Sequence, residues 1–203
     1  MPGGLPAVLA RAQRLGFLGP GPVEDHIEHA RRLARLIEPP SSFLDLGSGA
    51  GVPGLILAQE WPAATGVLLD SVGRRGAHLR AACHELGLTG RVSVVVARAE
   101  DAARREEWRG RLACVVARGF GAAAVTAESG VGFLARGGEL VVSEPPGGDA
   151  GRWDPAGLAR LGLSGPEMVV SAGVAVARLR RDGTLDERWP RRSGVPARRP
   201  LWD

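Results

Sequence analysis

Two stretches near the start of the chain place apolar residues at helical spacing, over residues 5–15 and 23–37, with the run Gly19-Pro20-Gly21-Pro22 between them. In the second stretch Ile27, Ala30, Leu33, Ala34 and Ile37 share one face, while Glu24, Asp25, Arg31, Arg32 and Arg35 fall on the other. Pro39-Pro40 ends it, because the residue before a proline is pushed out of the helical region. From Phe43 the pattern changes to short β-rich runs over residues 43–46, 66–69, 92–96, 112–117 and 139–142, alternating with helical patterns over 53–60, 75–86, 99–108 and 122–134. That alternation predicts right-handed crossovers and a mostly parallel sheet, hence an α/β fold. After Pro146 come a glycine-rich stretch and a short helix over 155–161. Runs over 167–171 and 174–180, joined through Ala172-Gly173, then predict an antiparallel C-terminal hairpin that finishes the sheet. The expected organisation is a single domain, with a helical extension over 1–40 packed on a core of 41–203 that ends in a basic tail.

Composition narrows the class without naming a chemistry. With 44% hydrophobic and 24% charged residues, the chain is too apolar for disorder. No apolar run approaches the roughly 20 residues that span a bilayer. No charged start followed by an apolar stretch marks a secretory signal either, so the expected compartment is the cytoplasm and no membrane partner is expected. Cys83 and Cys114 lack metal-ligand spacing and read as buried free thiols. His26 and His29 stand three apart on a helical pattern but have no third ligand, so no metal is expected. The net charge is +4, and all 26 basic residues are arginine, whose two-pronged guanidinium suits phosphate.

The candidate chemistry concentrates where the first strand meets the next helix, at Asp45-Leu46-Gly47-Ser48-Gly49-Ala50-Gly51. Gly47, Gly49 and Gly51 free the backbone for positive φ and close approach of a ligand, and Pro53 suits a first helical position. Loop amides and helix N-terminus are therefore expected to offer a site for an anionic group. Two ligands fit. Gly49, Gly51 and Gly54 satisfy the dinucleotide spacing G-x-G-x-x-G, with Asp70 at the end of the second strand as a ribose-binding acid, which allows an NAD-dependent oxidoreductase. Asp45 favours the other: a carboxylate beside the loop repels a pyrophosphate but attracts the ammonium and sulfonium of S-adenosylmethionine.

The set of motifs resembles the bacterial small-subunit ribosomal RNA guanine-N7 methyltransferase family, also called glucose-inhibited division protein B. The resemblance runs through Asp45 to Gly54, Leu68-Leu69-Asp70-Ser71 with Arg74-Arg75, Arg98-Ala99-Glu100, Val116-Ala117-Arg118, and the tail Pro190-Arg191-Arg192-Ser193-Gly194-Val195-Pro196 with Pro200-Leu201. It implies a Rossmann-like class I methyltransferase with S-adenosyl-L-methionine as cofactor. It also implies cofactor contacts from Asp45, Gly47, Ser48, Gly49, Gly51, Asp70, Ala99, Glu100 and Arg118, with Asp70 on the ribose hydroxyls and Ala99 and Glu100 lining the adenine. The implied reaction is methyl transfer to N7 of a guanine in small-subunit ribosomal RNA, naked or in an assembling particle, with no obligate protein partner. The chain departs from the family pattern at Val52, usually Phe, at His29-Ala30, usually Asp-Ser, at Gly119, usually Ala, and at Glu144-Pro145, often Lys-Gly. Those departures keep open a non-catalytic RNA-binding protein that retains the fold.

Guanine N7 is a lone-pair acceptor with no proton to remove, so its methylation needs alignment rather than a general base. Arg118, at the C-terminal end of the fourth strand where open α/β sheets bind ligands, is the candidate catalytic cation for guanine O6 or a phosphate. Arg188, Arg191, Arg192, Arg198 and Arg199 crowd the last sixteen residues and are the candidate RNA contacts. Trp189 and Trp202 interleave with them, suited either to stacking on bases or to packing the tail against the sheet.

Overall fold

A computed structural model describes residues 4–203, and these divide into two compact units, one running to Ala97 and the other Arg98–Asp203. The first unit opens with α1 (Leu5–Arg14) and α2 (Val23–Arg35). On α1, Leu5, Val8, Leu9 and Ala12 are buried at one-turn intervals. On α2, Val23, Ile27, Ala30, Leu33 and Ala34 are buried, with Glu24 and Asp25 in the first turn and Arg32 and Arg35 in the last, which complements the helix dipole. The Gly-Pro-Gly-Pro connection is held by Gln13, whose Nε2 donates to the carbonyls of Gly19 at 2.8 Å and Gly21 at 2.9 Å.

The rest of this unit is β1 (Ser42–Leu46), α3 (Gly54–Glu60), β2 (Thr65–Asp70), α4 (Gly73–Glu85) and β3 (Val92–Val96). Its strands run parallel in the order β3-β2-β1, with Asp45 opposite Leu68 and Asp70 opposite Val96. All residues of β1 and β2 but the first of each are buried, as expected of parallel strands covered on both faces. The extension over 1–40 has no boundary of its own, since α2 packs on α3 within this unit.

The second unit holds α5 (Ala99–Ala102), β4 (Leu112–Ala117), α6 (Ala123–Val131), β5 (Leu134–Glu144), α7 (Pro155–Arg160), β6 (Leu163–Ser171), β7 (Val174–Arg181) and α8 (Val195–Arg198). Its strand order is β4-β5-β7-β6, with β4 and β5 parallel and both β5-β7 and β6-β7 antiparallel. The expected helix over 99–108 stops after Ala102 because its apolar face runs out: Ala99, Ala102 and Ala103 are buried, while Glu106 and Glu107, which would come next on that face, are exposed. The fifth strand is longer than its apolar run at both ends. Leu134 joins opposite Leu112, and Glu144 is carried in by pairing with Ala175. Helix α7 starts at an Asp-Pro step, the Asp154 side chain accepting from Gly157 N at 2.7 Å.

Candidate functional site

In the first unit β1 delivers the chain into the glycine loop, where Gly47, Gly49 and Gly51 adopt φ of 76°, 55° and 96°. Any side chain would be strained there, which accounts for glycine at all three. The loop is tied down by its own donors. Gly47 N and Ser48 N both donate to Leu69 O at 2.9 and 2.8 Å, Gly51 N to Ser48 O at 2.7 Å, and the Ser48 hydroxyl to Asp45 O at 3.0 Å.

The two acids complete this internal saturation. Asp45 is 1% exposed, and its Oδ2 accepts from Gly54 N at 2.9 Å, so it caps α3 from the strand below. A Cβ at Gly54 would lie 2.5 Å from that oxygen, so the close approach requires glycine. Asp70 is 4% exposed, accepting from Gly49 N at 2.9 Å through Oδ2 and from Val72 N at 2.8 Å through Oδ1, with Arg75 Nη1 at 3.6 Å. Several of the loop amides expected to offer a site for an anionic group are occupied within the protein. The amides of Gly47, Ser48, Gly49, Gly51 and Gly54 all have internal acceptors, and the first helix turn is claimed by Asp45. What the loop keeps is acceptor capacity, because an ionised carboxylate has about four lone-pair positions.

The connection between α1 and α2 reaches this loop, which the sequence pattern did not foretell. The Phe17 ring meets His78 edge-on at 5.8 Å between centroids, the Arg74 guanidinium lies 5.3 Å over it, and the Phe17 carbonyl sits 3.9 Å from where a Gly49 Cβ would be. His78 is buried against Ala50 O at 3.3 Å, and burial lowers its pKa.

In the second unit Ala99 and Glu100 open α5 and both are buried. Glu100 Oε1 accepts from Gly194 N at 2.9 Å in the tail and has Arg98 Nη2 at 3.8 Å. Arg118 follows the last residue of β4, half-buried and next to Gly119, which has φ 62°.

The tail is folded onto the second unit rather than standing out as an arm. Arg191 donates three times to Glu128 on α6, from its backbone N and Nε at 2.8 Å each and from Nη2 at 2.6 Å, and once to Arg199 O. Glu128 is fully buried, and the paired carboxylate raises the Arg191 pKa. Trp189 is 2% exposed with its indole N–H on Arg160 O, and Trp202 donates to Arg152 O, so both tryptophans pack rather than present stacking faces. Arg109 holds the carbonyls of Trp189 and Asp186, and Arg104 those of Arg188 and Pro190. Of the five expected RNA contacts, Arg188, Arg192, Arg198 and Arg199 are exposed, Arg188 being paired with Asp186 at 3.2 Å, whereas Arg191 is committed to Glu128. Glu128 escaped sequence reasoning, although a lone acid in the small apolar run Ala123–Val131 signals a partner cation. Glu144, beyond the apolar run over 139–142, ends β5 with its carboxylate held by Arg152 Nη1 at 2.7 Å and Trp153 Nε1 at 3.2 Å.

The architecture is that of the Rossmann-like methyltransferases. An RNA methyltransferase from Salinibacter ruber, solved with S-adenosyl-L-homocysteine, superposes with a TM-score of 0.56 at 20% identity over 84% of this chain and 97% of its own. The chain belongs to the rRNA small subunit methyltransferase G family, whose model matches residues 22–144. It is 34% identical to the ribosomal RNA small subunit methyltransferase G of Moorella thermoacetica over 83% of this chain and 73% of that protein. It is 38% identical to that of Rubrobacter xylanophilus over 77% and 64%. Among the described residues no helix is long and apolar enough to cross a membrane, and no group of three or more His, Cys, Asp or Glu could hold a metal ion.

Proposed function

We propose that this chain transfers the methyl group of S-adenosylmethionine to N7 of a guanine in small-subunit ribosomal RNA, acting in the cytoplasm on RNA or an assembling particle. The observation that carries the reading is the polarity of the glycine loop: the amides of Gly47, Ser48, Gly49 and Gly51 are used internally, and two buried carboxylates face it. Such a loop suits a cationic ligand and repels a pyrophosphate, which disfavours the dinucleotide alternative. The space fits as well, since a Cβ at Gly49 would meet nothing nearer than 3.8 Å. When bound, S-adenosylmethionine supplies an electrophilic methyl group on a sulfonium.

The protein's task is then placement. In the first unit Asp45 braces the loop from below, Gly47, Ser48, Gly49 and Gly51 give it shape, and Asp70 keeps lone pairs for ribose hydroxyls. In the second unit Ala99 and Glu100 take the adenine by family resemblance, with the Glu100 carboxylate steadied by Gly194 N. Arg118 orients guanine O6 or a phosphate through its fork, and N7, a lone-pair acceptor, needs no base. Incubation with ribosomal RNA and labelled donor should label one guanine, and Arg118→Ala should abolish transfer. Failure to label any ribosomal RNA overturns the reading and leaves a non-catalytic RNA-binding protein.

A further inference from the structure

Three arginines of the second unit gather at the edge where β4 and β5 begin and β7 ends. Arg109 precedes β4, Arg136 lies near the start of β5, and Arg181 is the last residue of β7. Arg181 is 8% exposed, and its Nε has no hydrogen-bond partner. Burial, and then the neighbouring Arg136 and Arg109 guanidiniums, lower its pKa, and no carboxylate acts against them. The acids next along the chain are engaged elsewhere. Asp182 binds Arg180 Nε at 3.0 Å and the Ser164 hydroxyl, and Asp186 binds Arg188. Arg109 donates to main-chain carbonyls, which orient it without cancelling its charge, and Arg136 is exposed.

An arginine so largely buried without a counter-ion is costly, and two further cations beside it raise that cost. An anion that lies across all three removes it. We propose that Arg109, Arg136 and Arg181 form a phosphate-binding site that takes a backbone phosphate of the substrate RNA; the choice of RNA rests on the function proposed above. Arg136 holds the anion from the open side with its two-pronged donor, Arg109 adds charge and its remaining N–H groups from a half-buried position, and Arg181 supplies fixed charge beneath. The site lies at the opposite end of β4 from Arg118, and six strand residues at about 3.3 Å each separate them by about 20 Å. The phosphate it takes therefore belongs to a nucleotide well away from the guanine at Arg118.

The test uses the full chain with Arg136→Ala and Arg181→Met. Affinity for purified small-subunit ribosomal RNA is measured against salt, and melting is compared in sodium phosphate and sodium chloride at matched ionic strength. Arg136→Ala is expected to weaken RNA binding about three- to tenfold at low salt and to flatten the slope of log K against log salt by about 0.7 to 0.9, one phosphate contact. Both variants are expected to lose the extra thermal shift that phosphate gives the wild type. If the phosphate shift is lost but the RNA slope is unchanged, the site serves free phosphate and the RNA assignment falls. If the wild type binds no ribosomal RNA yet shows a phosphate shift that the variants lose, the proposed function fails and the phosphate site stands. A wild type with no phosphate shift, together with variants of unchanged salt slope, overturns the site itself, and Arg181→Met melting above wild type would then mark a merely unpaired charge.

Discussion

The two units handle buried carboxylates in opposite ways. In the first, Asp45 and Asp70 accept backbone N–H groups of the glycine loop and its flanks, so each acid fixes the shape of a segment at or beside a strand end. In the second, Glu128 and Glu100 reach 63 and 94 positions along the chain, to Arg191 and Gly194 in the tail, while Glu144 holds Arg152 and Trp153 just beyond β5. Acids that serve backbone amides make a rigid, acceptor-rich loop suited to a ligand, whereas acids that serve distant groups make a strap that closes a fold. The arginine content of the tail therefore describes its anchoring as much as its partner.

The sharpest way to break that comparison is at Glu128. Glu128→Ala leaves the Arg191 guanidinium without its charged partner, and breaking a buried pair from one side costs about 3–5 kcal/mol. Denaturant unfolding should show a loss of that order, and limited proteolysis should cut first within the released tail. Replacing both partners, as Glu128→Leu with Arg191→Met, should recover most of the loss, since a well-packed apolar pair has no charge to desolvate. If the single variant falls within 0.5 kcal/mol of wild type, with ~0.5 being the usual scatter of surface changes, the strap has no structural weight.

A smaller effect is expected from Asp70→Asn, which keeps the volume but leaves one amide oxygen as acceptor in place of two carboxylate oxygens. Either Gly49 N or Val72 N then loses its acceptor, at about 1–3 kcal/mol for a buried unsatisfied donor. Calorimetry with S-adenosylmethionine should show donor binding weakened at least tenfold, more than Glu100→Gln weakens it. The reverse order would place the cofactor acid in the second unit.

The first unit was the more legible of the two for a local reason. Gly47, Gly49, Gly51, Asp45 and Asp70 act within or beside their own strand-loop-helix turns, and spacing reports such geometry. Strands stood out as apolar runs, and β3 and β4 begin and end where those runs do. The anchoring of the tail was not legible because charge along a sequence does not say what faces it. Arg191 and Glu128 are 63 positions apart, as are no two members of the glycine loop, and Gly194 and Glu100 are 94 apart. The end of α5 after Ala102 was legible in principle, since Glu106 and Glu107 fall where its next apolar residues would have to be.

The mildest contrast lies in the two thiols, one in each unit. Burial pushes the Cys83 thiol up to about 11 and the Cys114 thiol up to about 12, the latter helped by nearby Glu139. A thiol with a raised folded pKa adds nothing to the pH dependence below its ordinary value of 9.0, where both folded and unfolded forms are protonated. Above it the unfolded chain ionises first, so stability falls by about 1.4 kcal/mol per pH unit for each thiol until the folded pKa is passed. Cys83→Ala should therefore flatten the alkaline slope up to pH of about 11, and Cys114→Ala should flatten it up to about 12. In the native protein at pH 9, alkylation followed by mass spectrometry should modify Cys83 ahead of Cys114, because it has the lower pKa of the two and so the larger thiolate fraction. Modification of Cys114 first would mean that β4 opens more readily than α4, and that the second unit, for all its long-range ties, is the looser one.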